Sequence, residues 1–599
     1  MNSYSVTVKL SGKKKMNNKT AEILKGSEVT IRCLELLGVE VVFAYPGGQA
    51  IDLHQALTRS SMRVVLPRHE QGGAFAANGY ARMSGRVGVA MATSGPGATN
   101  LVSGIADAYM DSIPTVFITG QVPLHMIGKN AFQETDIIGV TRPIVKHSFL
   151  VLDANDIPQV MKEAFHIARS GRPGPVVVDI PKSVQQQQVE FKFTEGCEIE
   201  AYNPDVTFDP EDVEKIKEMV RSCNRPCIYA GGGVISGGAS AELVKFAEAY
   251  NMPVVTTLMG IGAIPDEHPL SLRWLGMHGS YAANYTANEC DLLIAVGSRF
   301  SDRVTGNPQK FAVNARIIHI DIDESEINKN KFADLGVHAD VKYLLAELCK
   351  DPVRKDYEAW FRQVNEWKRD HMFSYKDDPS RLQPQFVISE LARLTEGKAT
   401  IVPGVGQHQM WSAQWYKYSS PRQLLTSGAL GAMGFGLPAA MGAKVACPEK
   451  LVINIDGDGS FQMNIQELGT LFVEEIDVKM VILNNQHLGM VAQWEDRFFQ
   501  HNRGNTVLGR CKGSRGCDRD CDNCSGNKCT GLPYPDFVTI AKGYGIPGRA
   551  VFSREELEDA IKEMLATDGP YLLDVYTGYD EHVLPMIPPG GDYKSLILE

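Results

Sequence analysis

The chain has 599 residues, 44% hydrophobic and 22% charged, ordinary values for a globular protein with material for three or four domains of ~150 residues. Its net charge of −11 argues against a general nucleic-acid surface, which needs clustered basic side chains. No apolar run approaches the ~20 residues of a membrane span.

The first residues, MNSYSVTVKLSGKKKMNNKT, are polar and basic without the apolar core of a secretory signal, and they lack the arginines of a good transit peptide; Met16 is a second candidate start. A cytoplasmic location is expected, with a plastid as the weaker alternative, and with it reduced cysteines. Segment 87–121, VGVAMATSGPGATNLVSGIADAYMDSIPTVFITGQ, reads as an apolar strand, a glycine-rich turn, a helix and a second apolar strand. Apolar strands joined through a helix are the mark of parallel α/β sheets. Segment 452–486, VINIDGDGSFQMNIQELGTLFVEEIDVKMVILNNQ, has the same length and design. Either the chain holds an internal duplication or two generic strand–helix–strand units look alike. Between them, RPCIYAGGGVISGGA, CDLLIAVGSRFSDRVTG and ARIIHIDIDESEIN form a third α/β region. Linkers are expected at QQQQ (185–188), EAYNPDVTFDPED and YKDDPSRLQPQ. The expected fold is α/β: three parallel-sheet domains at 21–190, 205–370 and 381–585, with an extension at 1–20 and a tail at 586–599.

The chemistry-bearing stretch is GDGSF at 457–461 followed by NN at 484–485. A glycine turn after a buried strand lets backbone N–H groups approach a phosphate. Asp458 stands at the carboxyl end of one strand and Asn485 at the end of the next, where parallel sheets bind ligands. A carboxylate, an amide oxygen and phosphate oxygens suit magnesium. A lone GDG is weak evidence; GDGS and NN on consecutive strands is strong.

This spacing resembles the thiamine diphosphate motif. The likeness spans nearly the whole chain and is closest to the acetohydroxyacid synthase (acetolactate synthase) catalytic subunits. It rests on AYPGGQAIDLHQAL, RHEQGGAFAANGYAR, AFQETDIIGVTRPIVKH, SGRPGPV, SGALGAMGFGLPAA, LNNQHLGMVAQWEDRFF and EHVLPMIP. The resemblance implies a pyrimidine-binding domain, a central FAD-binding domain and a diphosphate-binding domain, in that order. It implies decarboxylation of pyruvate on thiamine diphosphate and condensation of the hydroxyethyl carbanion with pyruvate or 2-oxobutyrate, a step of valine, leucine and isoleucine biosynthesis.

Roles follow by the same resemblance. Glu70 is the carboxylate at N1′ of the aminopyrimidine, where the chemistry needs a proton-handling group. Asp458 and Asn485 are side-chain magnesium ligands, and His487 a backbone one. Gly431, Ala432 and Met433 lie beneath the cofactor, with Met433 bending it. Gln407 and His408 contact the diphosphate, joined by Gly48, Gly459, Ser460 and Gly489. Arg303 serves the acceptor carboxylate, Trp494 favours 2-oxobutyrate, and Phe132, Gln133 and Lys146 line the same entrance. FAD contacts are expected from Ser112, Arg172, Gly231, Gly232, Gly233, Thr256, Thr257, Leu258, Met277, His278, Gly297, Arg299, Asp302, Asp321, Ile322, Asp340, Val341 and Gly428. Ala429 departs from the family, which commonly has a second glycine there. A homodimer or homotetramer with active sites between subunits is implied, and a separate regulatory subunit is usual for FAD-bearing members. The competing readings are a pyruvate oxidase or other thiamine diphosphate carboligase, and a catalytically silent homologue.

The run GRCKGSRGCDRDCDNCSGNKCTG (509–531) holds five of the 12 cysteines. The family passes through this region in a shorter loop, so the run reads as an insertion. Cys511, Cys517, Cys521, Cys524 and Cys529 are spaced for zinc or an iron–sulfur cluster only loosely, since one pair alone forms CxxC. A loop with spare thiols and a disulfide switch are the alternatives.

Overall fold

The computed structural model describes residues 22–200, 202–509 and 534–599. The cysteine run, and with it the zinc or iron–sulfur reading of Cys511, Cys517, Cys521, Cys524 and Cys529, lies outside the described residues.

Three parallel α/β sheets organise the chain. Their strands are continuous apolar runs: every residue of Thr115–Gln121 and of Pro175–Pro181 is buried, as expected where both sheet faces are covered. The first sheet runs Arg63–Val65, Val41–Ala44, Gly88–Ala92, Thr115–Gln121, Pro175–Pro181, His147–Leu150. The third runs Thr400–Pro403, Val452–Gly457, Lys479–Asn484, Tyr571–Tyr576, Gly548–Val551. Without the edge strand Arg63–Val65, both follow one path: first, second, third, fifth, fourth in chain order. A shared path through five strands is more than generic units would give, and it favours the duplication.

The second sheet follows another path: Ser271–Trp274, Val254–Thr256, Pro226–Ala230, Leu292–Val296, Arg316–Asp321, Leu335–His338. The order reverses between Pro226–Ala230 and Leu292–Val296. Such a switch point opens a crevice at the carboxyl ends of the strands, where dinucleotides bind.

The first and third sheets share one core. Helix Glu70–Ser84 packs on helix Gly436–Ala446, and Phe75 meets Phe435 edge-on at 5.6 Å. The backbones touch there: a Cβ on Gly442 would stand 1.9 Å from Ala76 O, and one on Gly79 2.1 Å from Ala439 O. Only glycine permits that approach.

The QQQQ stretch is not a linker. Gln185 and Gln186 end helix Lys182–Gln186, and Gln185 is buried, donating from Nε2 to Gln49 O and Ile180 O, both at 2.7 Å. Gln188 opens strand Gln188–Glu190, which pairs antiparallel with Ile23–Lys25 and ties the two ends of the first region together. Polar composition misled here because side-chain amides can satisfy buried carbonyls.

Candidate functional site

Strands Val452–Gly457 and Lys479–Asn484 are parallel neighbours, with Gly457 opposite Leu483. That register sets their carboxyl ends side by side. Asp458 begins the short helix Asp458–Phe461 and is 1% exposed. Asn485 N donates to Asp458 Oδ1 at 3.3 Å, and the Tyr534 hydroxyl donates to Oδ2. His487 N donates to Asn485 Oδ1 at 3.0 Å. Burial pushes the Asp458 carboxyl up to about 6.

Asp458, Asn485 and His487 line a pocket of about 90 Å³ with Gln407, His408, Met433, Gly459, Ser460 and Gly489. Its space depends on absent side chains. A Cβ on Gly457 would lie 2.7 Å from His408 Nδ1, one on Gly459 2.8 Å from Leu488 Cδ2, and one on Gly489 2.2 Å from Gln407 Oε1. Among the described residues no cluster of three His, Cys, Asp or Glu side chains could hold a metal by itself. A cation here would draw on the Asp458 carboxylate, the Asn485 amide oxygen and oxygens brought by a ligand, the donor chemistry of a hard divalent ion.

A larger cleft of about 770 Å³ opens at the switch point of the central sheet. The two loops at that point are packed backbone to backbone: a Cβ on Gly231 would stand 2.1 Å from Gly297 O, and one on Gly233 2.8 Å from Gly297 Cα. All three domains contribute walls. The first gives Ser112 and Arg172. The central one gives Gly232, Gly233, Thr257, Leu258, Met277, His278, Gly297, Arg299, Arg303, Asp321 and Ile322. The third gives Gly428, Gly431 and Trp494. Arg172 joins two of them, donating from Nη1 to Glu326 Oε1 at 2.7 Å and Asp323 Oδ2 at 3.0 Å, and from Nε to Ser112 Oγ at 2.8 Å. Burial pushes the Asp321 carboxyl up to about 6 and the buried His278 imidazole down to about 4. His278 is therefore neutral at pH 7 and donates from Nδ1 to Pro585 O at 3.1 Å.

The remaining candidates line neither cleft. Glu70 is the first residue of its helix, and Asn100 Nδ2 donates to its Oε2 at 2.9 Å. Phe132 is 84% exposed. Gln133 holds a left-handed φ of 60° beside Gly95. Lys146 donates from Nζ to Ser170 O at 2.7 Å, and burial pulls its ammonium down to about 8. Gly48 O accepts from Lys182 Nζ at 2.9 Å, and Ala432 N donates to Ser427 Oγ at 2.9 Å. Gly231 and the buried Thr256 lie behind the cleft wall, while Asp302 stands at the start of helix Asp302–Thr305. Asp340 caps helix Val341–Leu348 by accepting from Lys342 N at 2.8 Å, and Val341 is buried.

Sequence reasoning missed a buried network in the wall of the larger cleft, where Asp111, Ser427, Gly428 and Ala429 line it. Arg82 Nη2 donates to Asp107 Oδ2 and Asp111 Oδ2, both at 2.9 Å. Asp111 in turn accepts from Gly428 N and Ala429 N, each at 2.9 Å, and Asp107 accepts from Ser427 Oγ at 2.5 Å. The loop at 427–429 is thus held to the first domain by carboxylates more than 300 positions earlier, and Ala429 needs only its N–H for this. Tyr534 was missed too; its place just before PDF was the available signal.

The chain matches three family descriptions in order: "Thiamine pyrophosphate enzyme, N-terminal TPP binding domain" at residues 24–140, "central domain" at 213–348, and "C-terminal TPP binding domain" at 404–575. It is similar to "Acetolactate synthase 1, chloroplastic" of Oryza sativa subsp. japonica, 52% identical over 588 residues, covering 97% of this chain and 88% of that one. It is 52% identical to "Acetolactate synthase 1, chloroplastic" of Zea mays over 584 residues, 96% of this chain and 89% of that one. It is 50% identical to "Acetolactate synthase, chloroplastic" of Arabidopsis thaliana over 584 residues, 96% and 84% of the two chains. The cytoplasmic expectation is overturned by these relatives, all three named chloroplastic. It had leaned on the missing arginines of the first residues, a compositional cue too weak to outweigh them.

Proposed function

We propose that this chain, which belongs to the acetolactate synthase family of thiamine pyrophosphate enzymes, removes carbon dioxide from pyruvate and joins the remaining two-carbon unit to a second 2-oxo acid, pyruvate or 2-oxobutyrate. The observation that carries the reading is the meeting of Asp458 and Asn485 at the ends of neighbouring parallel strands, in a pocket kept open by glycines. When bound, thiamine diphosphate supplies the nucleophilic carbon and the electron sink that decarboxylation needs.

This chain's own residues do the rest. Asp458, Asn485 and the His487 backbone would hold magnesium, which would neutralise the diphosphate. Gln407 and His408 would close the pocket around it, and Met433 would lie beside the cofactor. Asn100 engages Oε2 of Glu70, which leaves Oε1 as the oxygen that holds and moves a proton. Glu70 lines neither cleft of its own chain, so it would serve the pocket of a second copy, making a dimer the smallest active unit. Arg303 and Trp494, on the wall of the larger cleft, receive the acceptor's carboxylate and its apolar end. FAD would occupy that cleft with its pyrophosphate at the switch-point glycines; the reaction is no net oxidation, so the flavin is structural. The chloroplastic relatives favour a plastid location.

Purified protein given thiamine diphosphate, magnesium, FAD and pyruvate, with and without 2-oxobutyrate, tests this by product analysis. Acetolactate, and acetohydroxybutyrate with the second substrate, are expected. Acetate and hydrogen peroxide in their place would identify an oxidase, and no acetohydroxy acid at all would overturn the reading.

A further inference from the structure

Glu467 is fully buried, yet it serves neither cleft. It lies at the end of the 3-10 segment Gln462–Glu467, which continues the chain from the Asp458 pocket. Its carboxylate reaches another domain. Oε1 accepts from Arg68 N and His69 N, both at 3.1 Å, and Oε2 from Arg68 N at 3.1 Å. Those two N–H groups lead directly into helix Glu70–Ser84. Thr470 Oγ1 donates to Oε2 at 2.8 Å and fixes the carboxylate from the other side. The space is cut to fit: a Cβ on Gly72 would lie 2.3 Å from Glu467 Oε1. Asn464, three residues earlier, donates from Nδ2 to Gly434 O at 2.8 Å and to Gln71 Oε1 at 3.3 Å. Gly434 N in turn donates to Ser460 Oγ at 3.1 Å.

One short segment therefore joins the diphosphate-side pocket, at Ser460 and Met433–Gly434, to the residues on both sides of Glu70. A carboxyl group held by two backbone N–H donors and a hydroxyl is fixed in place, although burial pushes its pKa up to about 7. We propose that Glu467 is a positioning residue for Glu70: by gripping the two backbone N–H groups ahead of the helix, it sets where the Glu70 carboxyl stands. The proposal rests on the role given to Glu70 above.

The test uses full-length enzyme carrying Glu467→Gln, with Glu70→Gln as reference. The amide keeps the shape but offers one acceptor oxygen in place of two, so its NH2 group must face either the Arg68 and His69 N–H groups or the Arg68 N–H and the Thr470 hydroxyl. Three quantities are read: deuterium exchange at C2 of bound thiamine diphosphate after acid quench, kcat and KM for pyruvate, and backbone amide exchange over residues 66–72 without cofactor. Glu467→Gln is expected to slow C2 exchange at least tenfold, to lower kcat by the same factor, and to leave KM within twofold. Amide exchange at residues 68–69 should quicken in the cofactor-free protein. C2 exchange at the wild-type rate in Glu467→Gln, while Glu70→Gln slows it, overturns the proposal, as does unchanged amide exchange. Wild-type C2 exchange in Glu70→Gln refutes the role of Glu70 itself, and the proposal falls with it. If Glu467→Gln does not fold, Thr470→Val keeps the carboxyl and removes its anchor; an about threefold loss in the same two rates is expected, and no loss overturns the proposal.

Discussion

Replacing Gly489 by alanine puts a methyl group into the diphosphate-side pocket at a computable cost. The new Cβ would stand 2.7 Å from Asn485 Nδ2 and 2.2 Å from Gln407 Oε1. Gln407 cannot swing aside freely, because its Nε2 donates to Gln493 Oε1 and Glu581 O, both at 2.9 Å. Asn485 must then retreat by about 0.7 Å to restore an ordinary contact of 3.4 Å. Metal–ligand distances tolerate only about 0.2 Å. Gly489 opens helix Gly489–Phe498, where alanine's higher helix propensity, worth at most ~1 kcal/mol, offsets part of an overpacking cost of about 1–3 kcal/mol. Stability should therefore fall by at most about 3 kcal/mol. Magnesium affinity should fall about 10- to 100-fold, the usual consequence of disturbing a ligand's support. Magnesium titration at saturating thiamine diphosphate, followed by tryptophan fluorescence and by acetolactate formation, measures both half-saturation points. Values within twofold of wild type would refute Asn485 as a ligand held in this geometry.

Arg82→Met strips Asp107 and Asp111 of a cation whose side chain is 3% exposed; breaking such a pair costs about 3–5 kcal/mol, read as a lowered thermal midpoint, and the FAD proposed for the larger cleft should leave at lower temperature because Gly428 and Ala429 lose a fixed anchor. An unchanged midpoint would show that the two carboxyls are neutral without Arg82. Burial pushes the Asp179 carboxyl from 3.8 up to about 6, against hydrogen bonds from Thr119 and Gln121. A raised carboxyl pKa means the folded state binds the proton more tightly, so stability is lost as pH rises from about 4 to about 6. Asp179→Asn should remove a slope totalling about 3 kcal/mol, at about 1.36 kcal/mol per pKa unit; parallel pH–stability curves for wild type and variant would contradict this. Chelation with EDTA should abolish acetolactate formation and magnesium restore it, whereas activity that survives exhaustive chelation would remove the metal role from Asp458 and Asn485.

The α/β class, the parallel strands and the Asp458–Asn485 pair were legible in the sequence, because each is written in a short contiguous pattern. Apolar runs of strand length, glycine turns and the spacing from GDGSF to NN need no knowledge of the rest of the chain. The tertiary structure decided what depends on sheet order and on contacts between distant segments. The common five-strand path that favours duplication, and the reversal that opens the larger cleft beside Gly231 and Gly297, appear only once strands are paired. Arg82, Asp107 and Ser427 carry no spacing signal, since their bonds span up to 320 positions. Glu467 reads locally as an ordinary helix glutamate, and only the packing of the third domain on the first brings it to Arg68 and His69. A buried carboxylate must find its donors wherever folding places them, and linear sequence does not encode that distance.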